Sequence, residues 1–566
     1  MRYLHLIRAF VRQHLIRVVL TFGVSLAAQA VAVFLPIYIA RSYDLLFGIQ
    51  SQRARFLNFI PEDWLATFQG YFSLFLVVVL LRGLLDYAER YGIAILGELH
   101  LAFLRKKLFA HQLQTEMAVY DDKGTGKYLL RYSGDLTSIQ AFINKGMIRF
   151  VSDLTLILLS LFVFFSLGSP IGWTVLGAVF VLAGITYLLD RKLYGASVKR
   201  RNAKSGLLKF VSTRLQGLWT IKTFNRFVPE MGRFEKRVDK LLNLGKSYQK
   251  IVGVVGAVIP VGLYLIIGMV MWVTHYVKTT SSNTVNPESF FIALLLLITL
   301  IPVFRRSFRV SIVWRNGSIS YGKLANILKL PKEKGTASKK RLVWKQGQLE
   351  IKGISFAYPG QTNTIFPYLD IFIPPTGLTW IQGSMGAGKT TLLKLLCRAY
   401  PVDSGEILID DQDIQAIGIK ELRRKIAVVD HQCTLLGNTV FEAISYSRKA
   451  EQRPKVQYML DQLEPSDNLT LDFPIGEGGC RLSRGQYRLL VFARAFLTQK
   501  PIVLIDEPFI HLDGPAERLV LSFLAKMRST STIVVFSTRN HPVGLEIDQK
   551  YTLPVPGSKV VHLRPA

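Results

Sequence analysis

The stretch GLTWIQGSMGAGKTTLLKLLCRAY, Gly377 to Tyr400, decides how the C-terminal part of this chain folds. Its centre, Gly383–Thr390, fits G-x-x-x-x-G-K-[ST] in full. The apolar run GLTWIQ before it reads as a strand, and the leucine-rich run after it reads as a helix. Strand, glycine loop and helix in that order form a phosphate cradle. Backbone N–H groups of Gly383, Ser384, Met385, Gly386, Ala387 and Gly388 can curl around phosphate oxygens, and the helix N-terminus adds a favourable dipole. Lys389 is expected to reach the β- and γ-phosphates, with Thr391 just beyond. Thr390 is expected to hold Mg²⁺ through its hydroxyl.

A second segment completes that expectation. PIVLIDEP, Pro501 to Pro508, is an apolar strand ending in two acids. Asp506 falls where it can enter the metal shell. Glu507 falls beside the γ-phosphate, where a carboxylate orients or deprotonates an attacking water. An acid pair merely ending a buried strand is the bland alternative, and the upstream glycine loop argues against it. Around these two segments, LEIKGISFAY, EILID, KIAVVD and STIVVFS alternate with helical runs. The pattern is that of an α/β sheet covered by helices.

The rest of the chain obeys a different solvent. Half of the 566 residues are hydrophobic and mean hydropathy is +0.28. Six windows approach the roughly 20 apolar residues a bilayer core requires: 18–40, 70–96, 150–167, 171–189, 251–273 and 290–304. The last stops short at Arg305 and Arg306 and is expected to continue as a polar helix. The net charge of +31 is uneven: residues 1–340 carry +27 and residues 341–566 carry +4. The basic excess sits in the long connections 97–149 and 190–250, as in DRKLYGASVKRRNAKSGLLK. Positive loops stay inside, so these connections and both termini are expected in the cytoplasm. Six core helices of a soluble protein would not confine basic loops to one side. No basic motif interleaved with aromatics points to nucleic acid. Cys397, Cys433 and Cys480 lack metal-site spacing and are expected to be free thiols. The basic, amphipathic MRYLHLIRAFVRQHLIR reads as an elbow helix before the first span, not as a signal peptide. Within the second span, Arg82 and Asp86 share a helix face, as an internal ion pair or as the wall of a wet cavity. Pro36, Pro260 and Pro302 are candidate kinks.

These features together resemble the ATP-binding-cassette transporters, and specifically half-transporters of the exporter type. The resemblance covers nearly the whole chain. TGKYLLRYSGDLTSIQAFI, Thr125 to Ile143, and GLWTIKTFNRF, Gly217 to Phe227, resemble the two intracellular loops that carry coupling helices. Tyr358 in ISFAYPG matches the aromatic that stacks on adenine, although a strand tyrosine can equally be core. LSRGQ, Leu482 to Gln486, occupies the signature, with Ser483, Arg484, Gly485 and Gln486 as its nucleotide-facing residues. HLD, ending at Asp513, resembles the D-loop. Three positions depart from the family pattern. Arg484 replaces the usual glycine, His431 falls at the Q-loop glutamine, and Thr538 falls at the switch histidine.

The resemblance implies a multidomain chain: an all-α six-helix membrane domain over 1–325, a linker over 326–343, and an α/β nucleotide-binding domain over 344–566. It implies ATP and Mg²⁺, a second half-transporter that is an identical or a different chain, contact with membrane lipid, and an unspecified cargo. It places the protein in a bacterial inner membrane with the nucleotide-binding domain in the cytoplasm. The expected activity is ATP-driven export or flipping, slowed by Thr538. The alternative is an ATP-binding subunit with little turnover that supports a partner.

Overall fold

A computed structural model describes residues 4–47, 67–123, 128, 131–280, 287–307, 310–333, 340–361, 363–431, 433–447, 449–463, 469–554 and 561–562. Two compact units emerge: 1–110 with 126–329, and 111–125 with 330–566.

The first unit is helical. A short amphipathic helix, Leu4–Gln13, buries Leu6, Ile7 and Phe10 and leads into the Leu15–Phe47 helix. Among the described residues six helices are long and apolar enough to cross a membrane, and each expected window lies inside one of them. The helices run far beyond those windows. Phe68–Gln112, Ser169–Gln216 and Phe227–Thr280 contain 45, 48 and 54 residues. At 1.5 Å per residue they reach about 70–80 Å, more than twice a bilayer core. Their polar ends are the basic connections seen in the sequence. The sixth span continues past Arg305 and Arg306 to Ser307, and helix is present again over Val310–Ile327. Pro36, Pro260 and Pro302 all lie inside helices. Packing follows a helical stripe: Ile259, Leu263, Ile266 and Val270 meet Ile292, Leu296, Leu300 and Val303. Leu80, Phe162, Phe180 and Trp272 remain exposed, as an apolar solvent permits.

One polar network interrupts this apolar packing. Glu89 is fully buried and accepts hydrogen bonds from Ser25 (2.9 Å), Gln29 (3.2 Å) and Ser152 (2.5 Å). Arg149 lies 2.8 Å from Glu89, and Arg306 lies 2.7 Å from Asp153 one turn on from Arg149. Arg82 pairs with Asp86 at 2.9 Å. Four helices therefore share one set of compensated charges.

The second unit is α/β. Five parallel strands, in the order β6-β7-β8-β3-β9, form its central sheet. They are β3 (Gly377–Gly383), β6 (Ile426–Val429), β7 (Ile502–Asp506), β8 (Thr532–Ser537) and β9 (Gln549–Leu553). Both faces are buried, so strand residues alternate between two cores. Trp380, Val503, Ile505, Ile533 and Val535 face one core, and Ile381, Ile502, Leu504, Val534 and Phe536 the other. A second sheet, β10-β2-β1-β4-β5, is antiparallel except for its β10–β2 pairing. It contains β1 (Leu349–Ala357), β2 (Thr364–Ile373), β4 (Ser404–Ile409), β5 (Gln412–Asp413) and β10 (Val561–His562). Asp410 fastens its entrance. Its carboxylate accepts from the backbone N–H groups of Lys345, Gln346, Gly347 and Gln348 at 2.8–3.2 Å. Residues 111–125 belong to this unit, where the Met117–Lys123 helix presents Asp121 to Tyr400 (2.5 Å) and Lys394 (3.2 Å). This helix lies just before the stretch Thr125–Ile143 in sequence, and residues 124–127 lie outside the described ones.

The buried network makes a prediction. Arg149→Leu strands the Glu89 carboxylate and is expected to destabilise the detergent-solubilised protein by about 3 kcal/mol or more. Adding Glu89→Gln should restore over half of that loss. Thermal unfolding of the single and double variants measures both.

Candidate functional site

The order of the parallel sheet assembles the site. Strands β6, β7, β8 and β3 are neighbours, and their C-terminal ends carry Asp430–His431, Asp506–Glu507, Ser537–Thr538 and the glycine loop. Four segments far apart in sequence therefore converge at one edge of the sheet, the usual ligand edge of such folds.

The loop from Gly383 to Thr390 returns into the Lys389–Leu396 helix through Gly388, whose φ is +89°. A Cβ there would lie 2.7 Å from the Phe366 ring, so only glycine fits this close approach. Ser384, Met385 and Gly386 are exposed, and Ala387 is buried. The Lys389 ammonium is buried and folds back onto the carbonyls of Gly383 (2.9 Å) and Ser384 (3.0 Å). It also stands 3.7 Å from Glu507. Thr390 donates its hydroxyl to Asp506 Oδ2 at 2.6 Å, joining the loop to the end of β7. Asp506 is 1% exposed, and its Oδ1 is buried without a hydrogen-bond partner. Burial raises the Asp506 carboxyl above the usual range, opposed by the Thr390 hydrogen bond. A hydroxyl beside an orphaned buried carboxylate oxygen is a donor set that fits a divalent cation such as Mg²⁺.

Glu507 occupies the left-handed region, with φ at +48°, unusual for a residue with a side chain. Its carboxylate is held from β8. Thr538 donates its backbone N–H at 2.9 Å and its hydroxyl at 3.3 Å, and Ser537 donates at 3.5 Å. Arg488 supports the same turn from behind, donating to the carbonyls of Asp506 (2.5 Å) and Glu507 (2.8 Å). Its burial lowers the guanidinium pKa, partly offset by Asp430 and Asp506.

His431 is exposed, with Nδ1 2.7 Å from Asp430 Oδ1. Gln432 beside it lies outside the described residues. Tyr358 stands next to the loop helix. Its hydroxyl is 3.0 Å from that of Thr391, and its ring packs edge-on against Phe356 and Tyr400. The half-buried ring therefore has both a core role and an edge beside the loop.

The signature segment is a capped helix start. Ser483 caps the Arg484–Leu497 helix by accepting from Gln486 N–H (3.1 Å), and the Gln486 side chain accepts from Ser483 N–H (3.0 Å). Arg484 projects into solvent at the first helical position, and Gly485 approaches the backbone of His511. Asp513 caps the Gly514–Met527 helix through Ala516 N–H at 3.1 Å. Asp430, Arg488 and Ser537 were not marked by the motifs. A signal existed for the first: KIAVVD ends in an acid after an apolar strand, just as PIVLID does.

Comparison with known proteins agrees with this architecture. The family profile for the ABC transporter transmembrane region matches residues 18–303, and the ABC transporter profile matches residues 369–510. The ATP-dependent lipid A-core flippase of Escherichia coli K12 is 24% identical over 475 residues, covering 82% of this chain and 80% of the flippase. The flippase of the same name from Pectobacterium atrosepticum is 24% identical over 477 residues, with the same coverage. The fold matches the structure of a bacterial Atm1-family ABC exporter with ATP bound, with a TM-score of 0.78 at 20% identity, covering 96% of this chain and 94% of that one. With one membrane region and one cassette in a single polypeptide, the chain belongs to the ABC transporters as a half-transporter of the exporter type.

Proposed function

We propose that this chain pairs head to tail with a second half-transporter in a bacterial inner membrane, its nucleotide-binding domain in the cytoplasm, and that MgATP is held between the two halves. ABC exporters act as dimers and couple ATP hydrolysis to transport. The observation that carries the reading is the joining of Thr390 to Asp506 at 2.6 Å with Glu507 next in the chain, beneath an exposed glycine loop. In this reading Lys389 leaves its two carbonyls for the phosphates, and Tyr358 stacks on adenine. Mg²⁺ would be held at Thr390 and Asp506, where it would withdraw charge from the phosphates. Ser483, Arg484, Gly485 and Gln486 close over the partner's nucleotide, with the helix N-terminus facing the γ-phosphate. Glu507 orients the attacking water. Closing of the cassettes on ATP and their release after hydrolysis switch the membrane cavity between its two sides. The first cargo to test is a lipid, the kind named for the flippase relatives.

One observation favours a slower machine. The Thr538 hydroxyl is engaged with Glu507, so it positions the base and does not extend toward a phosphate. A donor to the transition state is worth about 100-fold in hydrolases. A subunit that binds ATP and releases no phosphate, even beside its native partner, is the second reading.

Glu507→Gln should abolish phosphate release while nucleotide binding persists. Thr538→His should raise turnover by about tenfold or more. A purified-protein ATPase assay with a fluorescent nucleotide titration reads both.

Pairing makes a separate prediction. Cys480 is exposed two residues before Leu482, whereas burial pushes the Cys397 thiol up to about 12 and raises that of Cys433. Maleimide should therefore modify Cys480 first. ATP added to the Glu507→Gln protein should slow that modification at least fivefold if the signature is covered by a second half. Unchanged labelling in the presence of the native partner would count against the pairing.

A further inference from the structure

The geometry points to a headgroup site in the membrane unit, lined by Asp190, Tyr248 and Gln249. It takes a phosphoethanolamine-type zwitterion, with the primary ammonium on Asp190 and the phosphate on Arg315. The site lies wholly within the helical unit and does not rest on the ATP-driven reading.

Three observations carry it. First, the Ser169–Gln216, Phe227–Thr280 and Val310–Ile327 helices border a cavity of about 360 Å³. Polar Thr186, Asp190, Tyr248 and Gln249 share its wall with apolar side chains such as Leu193 and Val255. A mostly apolar wall with a few polar groups suits a small amphiphilic ligand. Second, Asp190 is 7% exposed, and its Oδ1 is buried with no hydrogen-bond partner. Among the described residues, Arg315 alone brings a cation within salt-bridge distance of it. The Arg315 Nη2 lies 3.6 Å from Asp190 Oδ2, too far for a hydrogen bond. The guanidinium is held by the Tyr194 ring, 4.5 Å from the ring centre, and stays 36% exposed. One turn earlier on the same helix face, the Ser311 hydroxyl is also buried without a partner. Buried polar atoms left unpaired in this way are costly, and a ligand donor would relieve the cost.

Third, depth places the cavity at headgroup level. Asp190 directly follows the apolar window 171–189, and Tyr248 and Gln249 stand just before the window 251–273. Thr186, Val252 and Val255 lie about one helical turn inside those windows. The cavity therefore straddles the boundary between hydrocarbon and headgroups. Exposed Arg191 and Lys192 continue on the basic side, and exposed Leu188 and Val254 adjoin it on the apolar side.

The chemistry then selects the headgroup. An ammonium brings N–H donors and a compensating charge to the unpaired carboxylate oxygen. With Asp190 satisfied, the Arg315 guanidinium is left for a phosphate, which it recognises well. A trimethylated ammonium carries the charge but no N–H, and a glycerol headgroup carries hydroxyls but no cation. The site should therefore rank phosphatidylethanolamine above phosphatidylcholine and phosphatidylglycerol.

The test uses the full-length chain in detergent, offered those three lipids with identical acyl chains, and counts bound lipid by native mass spectrometry. The parent should retain phosphatidylethanolamine about tenfold better than either of the others. Asp190→Asn keeps an acceptor, removes the charge and should level phosphatidylethanolamine with phosphatidylcholine. Ile312→Trp fills the cavity with Asp190 intact and should abolish the preferential retention. Thermal unfolding of each variant verifies folding. Water-soluble phosphoethanolamine separates the two sources of the headgroup. Lipid retained against an excess of the soluble compound assigns the site to membrane lipid. Binding of the soluble compound alone, lost in Asp190→Asn, assigns it to a free zwitterion, and either outcome supports the site. Equal retention of phosphatidylethanolamine and phosphatidylcholine by the parent, without binding of the soluble compound, overturns it. A preference unchanged in both Asp190→Asn and Ile312→Trp also overturns it. No step reads ATP hydrolysis, so failure of the proposed function leaves this result standing, and the reverse.

Discussion

A carboxylate buried at the end of a parallel strand is the constraint on which the nucleotide-binding unit depends. Asp506 is placed there by β7, an apolar strand buried on both faces and flanked by β6 and β8. An isolated charge in that position would cost several kcal/mol. The surrounding structure supplies Thr390 on one oxygen and leaves the other buried without a hydrogen-bond partner. The sheet therefore holds a carboxylate whose second oxygen is left unsatisfied. The same order of strands fixes everything nearby. β8 reaches Glu507 because it is adjacent to β7, and β3 delivers Lys389 because it is adjacent to β8. The left-handed turn at Glu507 is sustained by the hydrogen bonds from Thr538 and Arg488 on either side.

The membrane unit follows the same rule in a harsher solvent. Glu89, on the second span, is buried where water is scarce, and two neighbouring helices supply its partners. Ser25 and Gln29 come from the first span, and Ser152 and Arg149 from the third. Arg306 on the sixth joins through Asp153. Small polar side chains that look incidental in apolar runs are thus the partners of one acid. The charges also tie these spans into a group, since moving any one of them would strand a buried ion.

The glycine loop, the acid pair and the six spans were legible because each is a local signal: a fixed spacing or an unbroken apolar run. The long polar continuations of the helices were only partly legible, since their surfaces carry no run to count. β2 escaped notice because TIFPYLDIFI combines a proline and an aspartate with its apolar residues, and only pairing with β1 makes it a strand. Asp410, which gathers four backbone N–H groups, cannot be seen in sequence at all. Its partners lie some 60 residues upstream and are brought to it by the β1–β4 ladder. Asp430 was visible as a strand-ending acid but had no meaning until β6 was found beside β7. In the sequence Thr538 is only a departure at the switch histidine. The structure adds a contact that it makes, to Glu507.

The departures from the family pattern also have a geometry. His431 and Thr538 lie on the sheet edge that holds Asp506, whereas Arg484 lies at the start of a separate helix. In a head-to-tail pair those two regions serve different nucleotides. Two identical chains would give both sites all three changes. A different partner would give one site His431 and Thr538 from this chain, and the other site Arg484. Neither arrangement leaves a site untouched by this chain, so the familiar division into one consensus and one degenerate site is not available to it. The partner determines how the departures are shared, and the order of the sheet keeps His431 and Thr538 of one chain together on the same edge.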